Sequence, residues 1–116
     1  GFSITSEAQA WAQLPDFPGM QRDDGVAYVI NNLAYCGTGL QVGWVLTNDF
    51  YCLDMATDTW TPMASMPAGE ERQYACAFTN GFDGYIFGGE AGGIDKKDLW
   101  MYMPAVNGWM SRPAKP

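Results

Sequence analysis

The sequence predicts an all-β protein made of antiparallel four-stranded sheets used in tandem, and two observations carry that expectation. The first is internal repetition: Trp11, Trp60 and Trp109 recur at an interval of 49 residues, and Pro18, Pro67 and Pro116 keep the same step. Self-similarity at such a period marks a chain assembled from one supersecondary unit. Between the markers, Arg22 matches Arg72, Ala27 matches Ala77, Tyr28 matches Phe78, Tyr35 matches Tyr85 and Gly39 matches Gly89, all 50 apart, before Asp49 and Asp98 return to 49. The one-residue change falls between Gly39 and Asp49, where a variable loop absorbs it. The second observation is the content of each repeat, four short runs rich in Val, Ile, Tyr, Phe and Trp with turn residues between them.

Taken in chain order, residues 1–18 align with only the second half of a repeat and are expected to form the outer hairpin of a partial sheet. Local propensity pulls the other way there, because Ser6-Glu7-Ala8-Gln9-Ala10 reads as a Ser-capped helical turn; repeat phasing is taken to override it. Residues 19–67 form the first complete unit. Its strand a is expected over Asp24–Ile30, strand b over Leu33–Gly37, strand c over Asp49–Asp54, and strand d opens at Trp60. Residues 68–116 repeat the scheme with strand a over Gln73–Thr79, b over Tyr85–Gly88, c over Asp98–Met103, and d opening at Trp109. The c to d connections contain Asp58, Asn107 and Gly108, residues suited to turn conformations. Strands b and c read as continuously apolar, which implies burial on both faces, as when each sheet is sandwiched between two others.

These residues resemble the kelch repeat: an Arg before strand a, paired glycines closing strand b, an acidic residue opening strand c and a Trp opening strand d. Arg72, Tyr85, Gly88, Gly89, Asp98 and Trp109 fit the pattern, while Tyr35-Cys36-Gly37-Thr38-Gly39 is a variant similar to bacterial kelch-like propellers, with Thr38 in a glycine's place. The resemblance implies β-propeller blades in which the glycines permit positive φ and the Trp fills the space between neighbouring blades. Closed propellers need roughly four to eight blades, so two blades plus a hairpin make an incomplete propeller. A blade face covers about 350 Å², comparable to the largest apolar patch a monomer tolerates. The exposed faces are therefore expected to be covered by the remainder of a longer propeller or by self-association into a ring. The leading c and d strands lack a and b strands, and Pro116 falls where another strand a would begin; a fragment is the simpler expectation.

Composition narrows the function classes. The 116 residues are 47% hydrophobic and 15% aromatic but only 16% charged, with 6 basic against 13 acidic side chains and a net charge of −7. No basic run is present, which argues against nucleic acid and anionic membrane as partners. No stretch reaches the length of a membrane span, and nothing resembles a signal peptide; the start at Gly1 suggests processing, and the compartment stays open. Cys36, Cys52 and Cys76 are odd in number, lack metal-ligand spacing and sit in apolar runs, so buried free thiols are expected.

Alternation of strand direction puts the b to c and d to a connections at one end of the blades, where kelch proteins usually carry ligand contacts. The candidate binding residues are Trp44 in the first b to c loop, Glu90 in the second, and Arg22, Glu70, Glu71 and Arg72 in the d to a segments. Trp44 stands ready to stack on a sugar or a partner side chain, although packing down onto its own blade is the favoured reading. Arg22 and Arg72 have the fork that clamps a carboxylate, but recurrence once per repeat favours a structural ion pair between blades. Glu90, beside Gly89, reads as a solvated loop residue. The chain has no His, which excludes the copper chemistry of galactose-oxidase-like propellers, His-ligated zinc and Ser-His-Asp systems. The expectation is a module without cofactor or metal that binds a protein or glycan and does not catalyse. The alternative is a piece of a carbohydrate-active propeller resembling sialic-acid mutarotases, in which Glu70, Glu71, Glu90 and Arg72 would serve acid/base roles.

Overall fold

The computed structural model describes residues 13–113. Thirteen strands occur among them: β1 (Arg22–Asp23), β2 (Val26–Ile30), β3 (Leu33–Gly37), β4 (Leu40–Gln41), β5 (Val45–Leu46), β6 (Phe50–Asp54), β7 (Thr59–Met63), β8 (Cys76–Thr79), β9 (Gly84–Phe87), β10 (Glu90–Ala91), β11 (Ile94–Asp95), β12 (Leu99–Met103) and β13 (Gly108–Arg112). Two four-stranded antiparallel meanders result, β2-β3-β6-β7 as blade 1 and β8-β9-β12-β13 as blade 2. The outer hairpin expected over residues 1–18 lies mostly outside the described residues; 13–18 carry no strand.

The strand order is as the repeat predicts, and the boundaries differ for a backbone reason. Strand a starts at Val26 and Cys76, later than expected, because Asp24 and Tyr74 occupy the left-handed region at φ 59° and 61° and break the extended run. The second strand b stops at Phe87 because Gly88 turns to φ 68°. Thr38, at the position equivalent to Gly88, adopts φ 55° despite its branched Cβ and is fully buried. Such a residue tolerates that conformation only when its surroundings fix it. Here the flanking backbone does so: the Thr38 N–H donates to the Asp49 carbonyl at 3.1 Å, and the neighbouring Gly39 N–H reaches Arg72 of blade 2 at 2.8 Å.

The blades stack face to face through aromatic side chains. Alternation along β2 buries Val26, Tyr28 and Ile30 against blade 2 and leaves Ala27 and Val29 on the opposite face. Tyr35 of blade 1 lies 5.5 Å from Tyr102 of blade 2, and Phe50 lies 4.7 Å from Trp109, ring centroid to centroid. Gly84 permits the closest approach, since a Cβ there would sit 2.2 Å from the Tyr28 ring. Trp109 fills the space between blades, as the resemblance implied, and donates its indole N–H to the Ala64 carbonyl at 2.8 Å. Trp60 repeats the arrangement one unit earlier, donating to the Pro15 carbonyl at 2.9 Å and packing edge-on against Phe17.

Among the described residues each blade has one neighbouring blade, so burial of strands on both faces is only partly realised, with Phe17 covering part of the outer face of blade 1. The face of blade 2 that corresponds to the buried face of blade 1 is open, with Phe78 49% and Phe87 44% exposed. The thiols also depart in part from expectation: Cys52 is buried and Cys36 half-buried, but Cys76 is exposed because it lies on that open face. All three are free. No helix among the described residues is long and apolar enough to cross a membrane.

Candidate binding site at the loop end

The a to b and c to d turns lie at one end of the blades and the longer b to c and d to a connections at the other. The longer connections are more ordered than loops. In blade 1 the b to c segment folds into the hairpin β4-β5, and β1 from the d to a segment pairs with it, Arg22 opposite Gln41 and Asp23 opposite Leu40. Blade 2 repeats this as the hairpin β10-β11, bridged to Gln73. The one-residue difference between repeats sits in the hairpin turns. Gly92-Gly93 make a two-residue turn in blade 2, whereas Val42-Gly43-Trp44 make a three-residue turn in blade 1. Gly43 and Trp44 both take positive φ, 87° and 65°.

Arg22 and Arg72 are structural, but they pair inside each blade and not between blades. The Arg72 guanidinium is wholly enclosed, reaches both oxygens of Asp98 at 2.7 and 2.9 Å, and donates to the Gly88 carbonyl at 3.0 Å. It also donates to the Glu70 carboxylate at 2.7 Å and the Glu70 carbonyl at 3.1 Å. Arg22 forks onto Asp49 in the same way and lies over the Phe17 ring, 4.9 Å from its centroid. The pairing ties the entry of strand a to the opening of strand c, which is why both residues recur in each repeat. At this end the blades are linked by backbone: Gly39 donates to the Arg72 carbonyl at 2.8 Å and Tyr74 to the Asp24 carbonyl at 3.1 Å.

These contacts set the acidity of the two aspartates. Burial alone pushes the Asp49 carboxyl up, but hydrogen bonds from Arg22 and Thr47 outweigh it and hold the group below the usual carboxylate range. Asp98 behaves alike: burial raises it, while Arg72 and the Trp100 indole N–H at 3.0 Å pull it further down. Both stay charged and acceptor-only, as a bidentate Arg pair requires.

The remaining candidates separate. Glu70 is held by Arg72 and lies 3.8 Å from the Lys96 ammonium. Glu71 accepts from the Gly69 N–H at 3.4 Å. Glu90 departs from the solvated loop residue expected: it opens β10, pairs with Gln73, and its carboxylate accepts the Gly93 N–H at 2.9 Å, bracing the hairpin turn. Trp44 departs most. It does not pack onto its blade but is 86% exposed, at the third position of the turn with φ 65°.

Beside Trp44 a shallow cleft of about 430 Å³ opens between β1 and the β4-β5 hairpin, lined by Gln21, Arg22, Asp23, Gln41, Val42 and Trp44. It unites Trp44 with Arg22 and leaves Arg72, Glu70, Glu71 and Glu90 with blade 2. Gln21, Asp23 and Gln41 were not singled out from the sequence. The available signal was Leu40-Gln41 and Val45-Leu46 flanking Gly43, a hairpin pattern inside what read as a loop. No group of three His, Cys, Asp or Glu side chains able to hold a metal occurs among the described residues.

Comparison with known proteins agrees with this architecture. A family model for the kelch motif matches residues 39–67, from the paired-glycine position of blade 1 through its strand d. The solved structure described as "Structure of YjhT" is similar at 28% sequence identity and a TM-score of 0.67, covering 85% of this chain. This chain spans 29% of the length of that one. No curated protein sequence matches. The matched motif, the two Arg-Asp-braced meanders and the likeness to YjhT together show a kelch motif in this chain and the fold of kelch-type β-propeller blades, two of which are complete among the described residues.

Proposed function

We propose that this chain is a non-catalytic binding module that presents the b to c hairpins and d to a segments to a protein or glycan, with Trp44 as its anchor. The observation that carries the reading is an indole held 86% in solvent at the tip of a hairpin, on a backbone at φ 65°. An exposed Trp beside a cleft gains more by contact than any other side chain, and truncating such an anchor commonly costs 2 kcal/mol or more of binding, about thirtyfold. Strained backbone of this kind concentrates where a surface is used.

The groups that would run acid/base chemistry on a sialic acid are occupied. Arg72 is enclosed, Glu70 faces it, and Glu90 holds a turn. That supports binding over mutarotation.

The open face of blade 2 takes a further blade, from the same polypeptide or from another chain. Its Phe78–Tyr85 stack, 5.1 Å between centroids, has the geometry of the Tyr28–Tyr35 stack, 5.4 Å, which the inter-blade contact buries.

Glycan-array screening and pull-down with the wild-type chain and Trp44→Ala test the module. The expected result is one class of ligand whose affinity falls at least tenfold in Trp44→Ala with an unchanged melting temperature. Accelerated anomer exchange of sialic acid by the wild-type chain would overturn the non-catalytic reading.

A further inference from the structure

The cleft beside Trp44 is electrostatically one-sided. Its only cationic side chain, Arg22, is spent: the guanidinium forks onto Asp49, donates to the Met20 carbonyl at 2.9 Å and the Thr38 carbonyl at 3.3 Å, and its side chain is 9% exposed. Four of its five N–H donors are thereby engaged, and its charge is matched by Asp49. Asp23, by contrast, lines the cleft, is exposed, and makes no ion pair among the described residues. The cations at the corresponding place in blade 2 are also engaged, Arg72 by Asp98 and Glu70, and Lys96 by Glu70. The chain as a whole carries a net charge of −7.

An indole face attracts a cation through the ring quadrupole, Trp more strongly than Phe or Tyr, and the aliphatic stem of a long basic side chain covers apolar surface while its head stays polar. A carboxylate in the same cleft supplies the partner for that head, and a surrounding negative field raises the rate of encounter with a positive ligand. We infer that the cleft between β1 and the β4-β5 hairpin receives a basic peptide segment, with the stem of an Arg or Lys side chain lying on Trp44 and its charged end at Asp23. Gln21 and Gln41, which line the same cleft, offer amide donors and acceptors to the peptide backbone. The net negative charge disfavours acidic glycans, and a neutral sugar would make no use of the Asp23 charge.

This inference rests on Trp44 being the anchor of a binding surface, and the experiment separates the two. Isothermal titration of hexa-arginine, hexa-glutamate and maltohexaose is run on the wild-type chain and on Trp44→Ala, Trp44→Phe and Asp23→Asn, at low and at physiological salt. Melting curves check that each variant is folded. Hexa-arginine is expected to bind, at least tenfold more weakly to Trp44→Ala and with intermediate affinity to Trp44→Phe. Asp23→Asn is expected to lose about fivefold and to show a shallower salt dependence; the other two probes give no heat. Hexa-arginine that fails to bind, or that binds Trp44→Ala as well as wild type, overturns the inference, since the second result is diffuse attraction to an acidic surface. Maltohexaose binding that depends on Trp44 overturns it too, yet leaves the anchor role standing. Both readings fall together only if no ligand depends on Trp44.

Discussion

Arg72 exposes none of its side chain, yet it remains compatible with folding because Asp98, Glu70 and the Gly88 carbonyl together satisfy the guanidinium. Removing Asp98 leaves the enclosed guanidinium with Glu70 as its ion-pair partner, and removing Arg72 leaves two part-exposed carboxylates side by side. Asp98→Asn and Arg72→Leu are therefore each expected to lower the free energy of unfolding by about 1–3 kcal/mol, below the cost of breaking a wholly buried pair, read from urea denaturation. The same contacts fix the acid response. Asp49 and Asp98 titrate lower in the folded chain than in the unfolded one. Their contribution is thus complete above the ordinary aspartate value of about 3.9 and is lost as pH falls through the lower folded values. The urea midpoint is expected to fall steeply below pH about 4, and less steeply in Asp98→Asn. Tyr28 behaves oppositely: its buried hydroxyl has no hydrogen-bond partner among the described residues, and burial pushes its ionisation far upward. Phe78 holds the equivalent place without a hydroxyl, so Tyr28→Phe is expected to leave the urea midpoint unchanged or raise it by about 0.5–1 kcal/mol equivalent.

Each blade element is held by a recurring hydrogen-bond scheme as much as by its apolar faces. Gly88 N–H to the Asp98 carbonyl at 3.0 Å repeats Thr38 N–H to the Asp49 carbonyl, and Lys96 N–H to the Gly89 carbonyl at 2.8 Å repeats Thr47 to Gly39. These bonds close the b to c segment back on itself and project the hairpin turns. What differs between blades is the length and the residues of the hairpin turn, so that one tip is Gly92-Gly93 while the other displays Trp44. Contact between elements of different blades depends on fine steric fit at Gly84, where an added methyl group meets the Tyr28 ring and not a flexible chain end. Gly84→Ala is expected to destabilise the chain by about 1–3 kcal/mol. Ala34, the equivalent residue of blade 1, faces away from blade 2, and Ala34→Gly is expected to cost no more than the roughly 1 kcal/mol of a glycine in a strand. A double comparison by urea denaturation reads both.

At the scale of the molecule, the two sheets bury one face of each against the other; the outer face of blade 1 is partly covered by Phe17 on Tyr51 and Trp60, while that of blade 2 is open among the described residues. The open face of blade 2 carries Phe78, Phe87 and Met110, each between 44% and 49% exposed. Apolar patches of this kind attract a cover. Sedimentation velocity across a concentration series is expected to show mass increasing with concentration for the wild-type chain. Phe78→Glu combined with Phe87→Glu is expected to abolish that increase without lowering the melting temperature. A wild-type chain that stays monomeric at high concentration would leave only a further blade of the same polypeptide as the cover.

Periodicity by itself determined the blades, their strand order and the identity of the residues bracing them, because Trp, paired Gly, Arg and Asp recur where one backbone scheme is used twice. Turn conformation and pairing partner were decided only in three dimensions. Whether Arg22 pairs within or between blades depends on a contact 27 residues away in sequence, and repetition alone does not distinguish these. Whether Trp44 packs or projects depends on a positive φ in a non-glycine residue, which is set by the register of β4 against β5 and by the extra turn residue. Local residue preferences do not encode such a conformation, since it is imposed by the strands on either side.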